Sequence, residues 1–161
     1  MKLHTGDPAP ELGLKDQDGK THSIASYLGK WVFLYFYPKD DTPGCTIEAC
    51  TARDNFAQFK KMSCVVLGVS IDTPASHTKF IKKFTLPFTL LADDKKELVQ
   101  TYGVWGQKEY MGREYMGTFR TSFIIDPQGK IRKIYREVRP KTHIEEVLKD
   151  LKKLQAPKVG Q

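Results

Sequence analysis

Residues 31–37 form an unbroken apolar run that leads straight into a loop rich in proline and glycine. A run of this length without polar interruption is typical of a strand buried on both faces, as in parallel sheets. The loop ends at Pro43 and Gly44, and a helical pattern of apolar residues begins at Cys45. The sequence therefore predicts a strand, a loop and a helix in succession, with a cysteine in the first turn of the helix.

Cys45 occupies a position that favours a reactive thiol. Backbone N–H groups in the first turn of a helix lack intrahelical partners and the helix dipole is positive there, so both stabilise a thiolate. The thiolate is the nucleophilic form of cysteine. Thr42, three residues earlier, carries a hydroxyl that can bond to the thiolate or to an incoming oxygen. The alternative is a small apolar side chain packed in the core, which is the usual place of a free cysteine.

The rest of the chain alternates strand and helix patterns. The first predicted elements are a hairpin around Asp18 and Gly19 within residues 8–30, the strand 31–37, and a helix from Cys45 to about Lys61. A strand over 64–71, a helix beginning at Pro74, a strand over 88–91 and a helix capped by Asp94 and ending at Tyr102 come next. The last predicted elements are a loop over 104–119, strands over 121–125 and 131–138, and a helix over 144–154. A tight turn over 126–129 makes the last two strands antiparallel neighbours.

This order of elements predicts an α/β protein with a thioredoxin-like fold. Its central mixed β-sheet is flanked by helices, and the N-terminal β-hairpin is an extension of that fold. We expect a single domain over residues 1–161, because the chain is long enough for one core and shows no repeat or second domain. Residues 155–161 continue no pattern and are expected to form a flexible tail.

The charge balance is basic, with 26 Lys and Arg against 19 Asp and Glu and a net charge of +7. Such a balance can attract nucleic acid, a membrane surface or an anionic partner. The lysines are spread along the whole chain with acidic residues between them, which favours an ordinary solvated surface. No apolar run approaches the ~20 residues of a membrane span, and the first residues lack the apolar segment of a signal peptide. We expect no nucleic-acid partner, no membrane association and a cytoplasmic location.

The spacing of Cys45 and Cys50 limits what the two thiols can do together. In a continuous helix, residues five apart differ by about 7.5 Å in rise and about 140° in rotation, so their Cα atoms lie roughly 8–9 Å apart. A disulfide requires Cα atoms within about 7 Å of each other. The two cysteines can therefore bond only if the first turn of the helix unwinds, which would give a cycle between a folded dithiol and a locally unfolded disulfide.

The presence of three cysteines favours catalysis, redox chemistry or metal binding over a disulfide scaffold. Metal binding is the weakest of these, because the spacing of the cysteine pair is not C-x-x-C. The histidines also form no ligand cluster in the sequence; they are His4, His22, His77 and His143. We therefore expect no metal site.

Residues 36–50 resemble the active-site segment of the peroxiredoxins. Pro38, Thr42 and Cys45 carry the general motif, and the whole string is similar to that of the bacterioferritin-comigratory or PrxQ branch. The resemblance covers about residues 5–154, with further similar strings at 102–106 and 119–126.

The resemblance implies a thiol-specific peroxidase that reduces hydrogen peroxide and organic hydroperoxides without a metal or an organic cofactor. Cys45 would be the peroxidatic thiolate, which attacks the terminal oxygen of a hydroperoxide and becomes a sulfenic acid. Arg120 would lie beside it and stabilise both the thiolate and the departing hydroxide or alkoxide. Thr42 would hold the peroxide oxygens, and Pro38 would shield the oxidised sulfur from water.

The resemblance also implies recycling within one chain. Cys50 would be the resolving cysteine, which condenses with the sulfenic acid to an intramolecular disulfide. Thioredoxin or a similar dithiol would then reduce that disulfide. This arrangement, an atypical 2-Cys peroxiredoxin, is expected to be a monomer.

The roles of three other residues are less constrained. Glu48 could approach Arg120, as an acidic residue often does in this family, or could simply compensate the helix dipole. Arg53 could form a surface ion pair or assist the site. Cys64 is the chief departure from the family pattern, and its place at the start of a strand favours core packing over a third redox role.

Two other functions compete with the peroxidase. The first is a thiol-based redox sensor or disulfide-relay module that signals to a partner. A resolving cysteine within the same helix favours self-contained turnover over such a relay. The second is a basic nucleic-acid-binding protein, whose retention on DNA would weaken steeply with salt.

Overall fold

The computed structural model describes residues 2–156, and within this range the chain alternates short strands and helices. The strands are β1 (Leu14–Asp16), β2 (Thr21–His22), β3 (Trp31–Phe36), β4 (Cys64–Ser70), β5 (Thr89–Ala92), β6 (Trp105–Tyr110), β7 (Arg113–Thr118), β8 (Thr121–Ile125) and β9 (Ile131–Tyr135). The helices are α1 (Pro43–Asp54), α2 (Phe56–Lys61), α3 (Pro74–Phe84), α4 (Leu98–Thr101) and α5 (His143–Gln155). None of the helices in the described range combines the length and the apolar character that crossing a membrane requires.

Seven of the strands form one mixed sheet in the order β2-β1-β5-β4-β3-β8-β9. Strands β3, β4 and β5 are parallel, whereas the pairings β1–β2, β1–β5, β3–β8 and β8–β9 are antiparallel. The predicted thioredoxin-like fold, with a central mixed sheet flanked by helices, is confirmed. The hairpin β1–β2 extends this sheet at its N-terminal edge.

The central strand β3 contributes buried side chains to both faces of the sheet. Its side chains alternate, so that Phe33 and Tyr35 lie in one apolar cluster with Phe59 of α2, while Leu34 and Phe36 lie in the other. The first cluster is completed by α1, α3 and α5, and the second by α4 and the N-terminal segment. Burial on both faces explains why the run has no polar interruption.

The helix that follows the loop after β3 differs from the sequence prediction. It begins at Pro43 rather than at Cys45, and it is divided in two at Asn55 instead of continuing to Lys61. The amide Nδ2 of Asn55 donates to the carbonyl of Thr51 at 2.9 Å, and its backbone leaves helical geometry. The backbone N–H of Asn55 still reaches the carbonyls of Thr51 and Ala52, at 3.2 and 3.3 Å, so α1 closes in a tight turn before α2 begins.

The predicted loop over 104–119 is wrong, because this segment is the antiparallel hairpin β6–β7. Met111 and Gly112 are the two residues of its turn, and both have positive φ, at 51° and 79°. A two-residue turn of this kind matches the twist of a hairpin. Most side chains of the hairpin are exposed, so the apolar alternation that would have indicated strands is missing.

Smaller differences concern caps and ends. The predicted helix cap at Asp94 is wrong, since Asp93 is the residue that accepts hydrogen bonds from the backbone N–H groups of Glu97, Leu98 and Val99. The helix itself is only the single turn α4. Of the predicted flexible tail, Gln155 belongs to α5 and its amide donates to the carbonyl of Met62 at 2.7 Å. The part of that tail over 157–161 lies outside the described residues.

Candidate active site

Cys45 lies in the first turn of α1, directly after the loop that leaves β3. Thr42 is the N-cap residue, and Pro43 occupies the first helical position, where a missing N–H costs no hydrogen bond. The Cys45 side chain is 1% exposed. Its sulfur accepts a hydrogen bond from Nη2 of Arg120, with 3.4 Å between the two atoms. A guanidinium and a helix N-terminus therefore face the same sulfur, and both favour its anion.

Arg120 reaches this sulfur because of the sheet register. It directly precedes β8, whose first residue Thr121 pairs with Phe36 at the end of β3. The loop that leads to Cys45 begins at that same end of β3. Gly44 leaves the necessary room, because a Cβ atom there would lie 3.1 Å from Nη2 of Arg120.

Glu48 completes a buried charged group with Arg120 and Cys45. It is fully buried, and its Oε1 accepts from Nη1 of Arg120 at 2.9 Å. The other oxygen, Oε2, has no hydrogen-bond partner among residues 2–156. Burial raises the pKa of Glu48 to about 7, although Arg120 acts in the opposite direction. Of the two sequence interpretations of Glu48, the contact with Arg120 is the one that the structure contains.

The guanidinium is held in its charged form by its neighbours. Burial disfavours the charge, but the carboxyl of Glu48 and the sulfur of Cys45 together raise the pKa of Arg120 above its ordinary value. The guanidinium thus bridges a carboxyl and a thiol with its two terminal nitrogens. This fixed orientation is what a planar, multiply donating group provides and a lysine would not.

Replacing Glu48 by glutamine is expected to flatten the pH dependence of folding stability between about pH 4.5 and 7. Burial raises the pKa of Glu48 from 4.5 to about 7, so in this window the folded chain keeps a proton that the unfolded chain has released. The wild-type free energy of unfolding should therefore fall by up to about 3 kcal/mol as the pH rises through it. Urea denaturation of both proteins across this pH range measures the difference. Parallel stability curves would contradict the assignment.

Thr42 and Pro38 frame the loop before the helix. The hydroxyl of Thr42 donates to the carbonyl of Lys39 at 2.8 Å rather than to the sulfur of Cys45. Its only proton is thus engaged, and its lone pairs remain to accept a hydrogen bond from a ligand. Pro38 lies half-buried at the start of the same loop.

The three cysteines are free and lie in different surroundings. Cys50 is partly buried on α1, which runs without interruption from Pro43 to Asp54, so the pair is too far apart to bond in this state. Cys64 is buried and pairs with Trp31, at the opposite end of β3 from the active-site loop. Burial raises the pKa of Cys64 to about 12, so its thiol stays protonated at neutral pH.

The sequence did not indicate two groups of polar side chains near the site. The first is Lys108 of β6, whose Nζ donates to the carbonyl of Thr118 at 3.0 Å. Its burial and the charge of Arg120 lower the pKa of Lys108, while Cys45 acts in the opposite direction, so the hairpin brings a second cation toward the thiol. The Met-Gly turn was the available signal for this hairpin.

Arg53, which the sequence left between a surface ion pair and a role in the site, bonds to Asp54 and to the carbonyl of Phe84 within the described residues, not to the site.

The second group surrounds Asp40, in the middle of the active-site loop. Its Oδ2 accepts from the hydroxyl of Ser76 at 2.8 Å and lies 2.7 Å from Nδ1 of His77. Its Oδ1 accepts from the hydroxyl of Tyr37 at 2.6 Å, and its backbone N–H donates to Asp72 at 2.8 Å. These contacts join residues up to 37 positions apart, which no local pattern in the sequence indicates.

The same group contains the spacing of a possible cation site. One ligand atom from each of Asp40, Asp72 and His77 lies within 4.8 Å of the others. The sequence does not indicate this cluster, because its members lie up to 37 positions apart. Each of those ligand atoms is already engaged in a hydrogen bond within the protein, so the geometry is explained without a metal.

Comparison with known proteins identifies relatives along nearly the whole chain. Residues 5–134 match the model of the AhpC/TSA family. The protein named peroxiredoxin Bcp of Bacillus subtilis is 45% identical over 152 residues, which is 94% of this chain and 97% of that protein. Peroxiredoxin Bcp of Escherichia coli K12 is 43% identical over 150 residues, covering 93% and 96% of the two chains.

Solved structures show the same relationship. A PrxQ mutant of Xylella fastidiosa superimposes with a TM-score of 0.89 at 31% identity, covering 97% of this chain and 99% of the other. A structure of the bacterioferritin comigratory protein of Xanthomonas campestris has a TM-score of 0.84 at 32% identity, covering 89% and 91%. That structure is described in connection with alkyl peroxide reduction.

Proposed function

The chain belongs to the AhpC/TSA family as a peroxiredoxin of the Bcp or PrxQ type, and on that premise we propose that Cys45 is the thiol with which it reduces hydroperoxides. It is a thiol peroxidase, an oxidoreductase of antioxidant function. The observation that carries the assignment of Cys45 is the contact between its sulfur and Nη2 of Arg120 at 3.4 Å, in the first turn of a helix. A thiol so placed is prepared for nucleophilic attack.

The proposed reaction is a displacement at oxygen. The thiolate of Cys45 attacks the terminal oxygen of the hydroperoxide, the S–O bond forms as the O–O bond breaks, and hydroxide or alkoxide leaves. The electron pair of the broken bond goes to the leaving oxygen, whose negative charge the guanidinium of Arg120 stabilises. The terminal oxygen's proton remains on sulfenic acid, and the leaving group takes a proton from water.

Thr42 and Pro38 are proposed to hold the peroxide and to protect the product. Because the Thr42 hydroxyl already donates to Lys39, it would act on the peroxide as an acceptor, taking a hydrogen bond from the O–H of the terminal oxygen. Pro38 would cover the oxidised sulfur from water. The proposed substrates are hydrogen peroxide and organic hydroperoxides, and the link of the Xanthomonas relative to alkyl peroxide reduction supports the second class.

Recycling is proposed to use Cys50. After α1 unwinds, Cys50 would attack the sulfenic acid of Cys45, release water and form an intramolecular disulfide. Thioredoxin or a similar dithiol would reduce it by thiol–disulfide exchange. We propose a monomer in the cytoplasm, because the cycle closes within one chain and three cysteines are too few for a disulfide scaffold of the kind typical of secreted proteins.

The test of the function is a coupled assay. The protein is mixed with thioredoxin, thioredoxin reductase and NADPH, and NADPH oxidation is followed after addition of hydrogen peroxide or an alkyl hydroperoxide. Oxidation well above the background without the protein is expected. Absence of turnover, together with a disulfide that passes to a partner protein, would instead support the redox sensor or relay.

Replacing Cys50 by serine is expected to stop multiple turnover while leaving the first reaction with peroxide intact. The sulfenic acid of Cys45 would have no partner and would proceed to sulfinic acid under excess oxidant. Mass spectrometry of the protein after one and after ten equivalents of peroxide measures both products. Cys64→Ser is the matched control, because Cys64 lies at the far end of β3 and should leave turnover unchanged. A Cys45–Cys64 disulfide in the wild type would contradict the assignment.

A further inference from the structure

We propose that the buried contact between Asp40 and His77 serves to position the active-site loop, residues 38–42, for reaction with peroxide. Both are positioning residues, since they act through the loop and not on the reacting atoms. The inference deepens the proposed function and rests on the role of Cys45 in it. Four contacts of Asp40 and one of His77 carry the argument.

The hydrogen bonds of His77 fix the orientation of its ring. The ring is completely buried, and its Nε2 lies 2.9 Å from the carbonyl oxygen of Leu91, which can only accept. Nε2 must therefore carry a proton. The other nitrogen, Nδ1, faces the carboxyl oxygen of Asp40 at 2.7 Å. Both ring nitrogens are thus engaged, and one of them is bonded to the active-site loop.

The carboxyl group of Asp40 is held by two further side chains. Besides His77, the hydroxyl groups of Tyr37 and Ser76 both donate to it. Three side chains therefore bond to one buried carboxyl group, so that its polar atoms are satisfied inside the core.

These contacts fix the loop from three directions. Tyr37 lies at the end of the central strand, Ser76 and His77 lie on α3, and Asp72 accepts from the Asp40 backbone in the connection that leads to α3. The next residue, Asp41, has a φ of 57°, a left-handed conformation that a residue other than glycine rarely adopts. Such a conformation persists where the surrounding contacts hold it in place. Removing the contact between Asp40 and His77 would let the loop relax.

The effect should be specific to peroxide. The thiolate of Cys45 is favoured by the helix N-terminus and by Arg120, and the pair contacts neither of them among the described residues. Thr42, in contrast, is two residues from Asp40 on the same loop. Loosening the loop would therefore displace the group that holds the peroxide while the thiol keeps its electrostatic surroundings.

The test compares two reactions of the same thiol in the full-length chain. Prereduced wild type, His77→Gln and Asp40→Asn are reacted with hydrogen peroxide, which needs the loop, and with iodoacetamide, which needs only the thiolate. We expect the peroxide rate to fall by about 10- to 100-fold in both variants and the alkylation rate to change by less than about threefold. Thr78→Ala is the matched control, because Thr78 is next to His77 on α3 but bonds to Gln17 and Pro74 instead.

The outcomes distinguish failure of this inference from failure of the proposed function. An unchanged ratio of the two rates in the variants, with an active wild type, would overturn the inference alone. A wild type that reacts with iodoacetamide but not with any hydroperoxide would overturn the proposed function and the inference with it. Because the variants could fold poorly, ¹⁵N NMR of the wild-type ring provides a second measurement. A slowly exchanging proton between Nδ1 of His77 and the carboxyl group of Asp40 supports the contact, and its absence overturns it.

Discussion

Replacing Cys45 by serine is expected to lower the rate of peroxide reduction by on the order of 10³-fold or more. A serine hydroxyl is a much weaker acid than a thiol, and it is a poor nucleophile toward oxygen. Loss of the sulfur also removes the atom that would carry the sulfenic acid. Stopped-flow measurement of hydrogen peroxide consumption by the prereduced protein gives the rate.

The control for this change is Cys64→Ser, which makes the same substitution at a buried thiol. Burial raises the pKa of Cys64 to about 12, so its anion contributes nothing at neutral pH and the variant should react like the wild type. Circular dichroism of both variants verifies that the fold is kept. Near-normal turnover by the Cys45 variant would show that the nucleophile has been wrongly assigned.

Replacing Arg120 by methionine is expected to lower the peroxide rate by about 10²- to 10³-fold, the usual cost of removing one donor from a developing negative charge. Methionine keeps much of the side-chain volume but donates no hydrogen bond. The contact of 3.4 Å to the Cys45 sulfur is lost, and so is the stabilisation of the leaving oxygen. Single-turnover kinetics with hydrogen peroxide measures the change.

Loss of Arg120 also affects folding, and a double variant separates the two effects. Without the guanidinium, the carboxyl of Glu48 is left fully buried, and its pKa should rise further above 7. The single variant should therefore lose stability most strongly at alkaline pH, whereas Arg120→Met combined with Glu48→Gln should recover much of it. The peroxide rate should stay low in both. Recovery of the rate in the double variant would mean that Arg120 acts only through the fold.

The strand, loop and helix around Cys45 could be predicted because each is recorded locally in the sequence. The apolar run of β3 reflects burial on both faces, and the predicted helix start at Cys45 lies two residues after the observed start at Pro43. The thioredoxin-like order of elements follows from the same kind of pattern. Arg120, however, could be placed beside the thiol only through the resemblance to peroxiredoxins, since 75 residues separate it from Cys45 in the chain.

The missed features depend on contacts between distant elements or on weak patterns. The hairpin β6–β7 has mostly exposed side chains, so neither periodicity nor apolar runs indicate it. Its one local signal is the pair Met111 and Gly112, which form the turn with positive φ. The contact of Asp40 with His77 forms because α3 packs beside the end of β3. Such a contact depends on how the sheet and the helices pack together. Patterns in one sequence give the order of these elements but not their packing.

The interruption between α1 and α2 has a consequence for the energetics of turnover. Arg53 bonds to the carbonyl of Phe84, and Phe59 of α2 lies in the core, so the end of α1 is anchored to the rest of the molecule. In the proposed cycle the order–disorder transition would then stop near Arg53, and the sheet and the other helices would keep their packing. A reducing partner would meet a short mobile segment on an otherwise folded protein. After reduction, the helix would form again from the end of α1, which stays folded throughout the cycle.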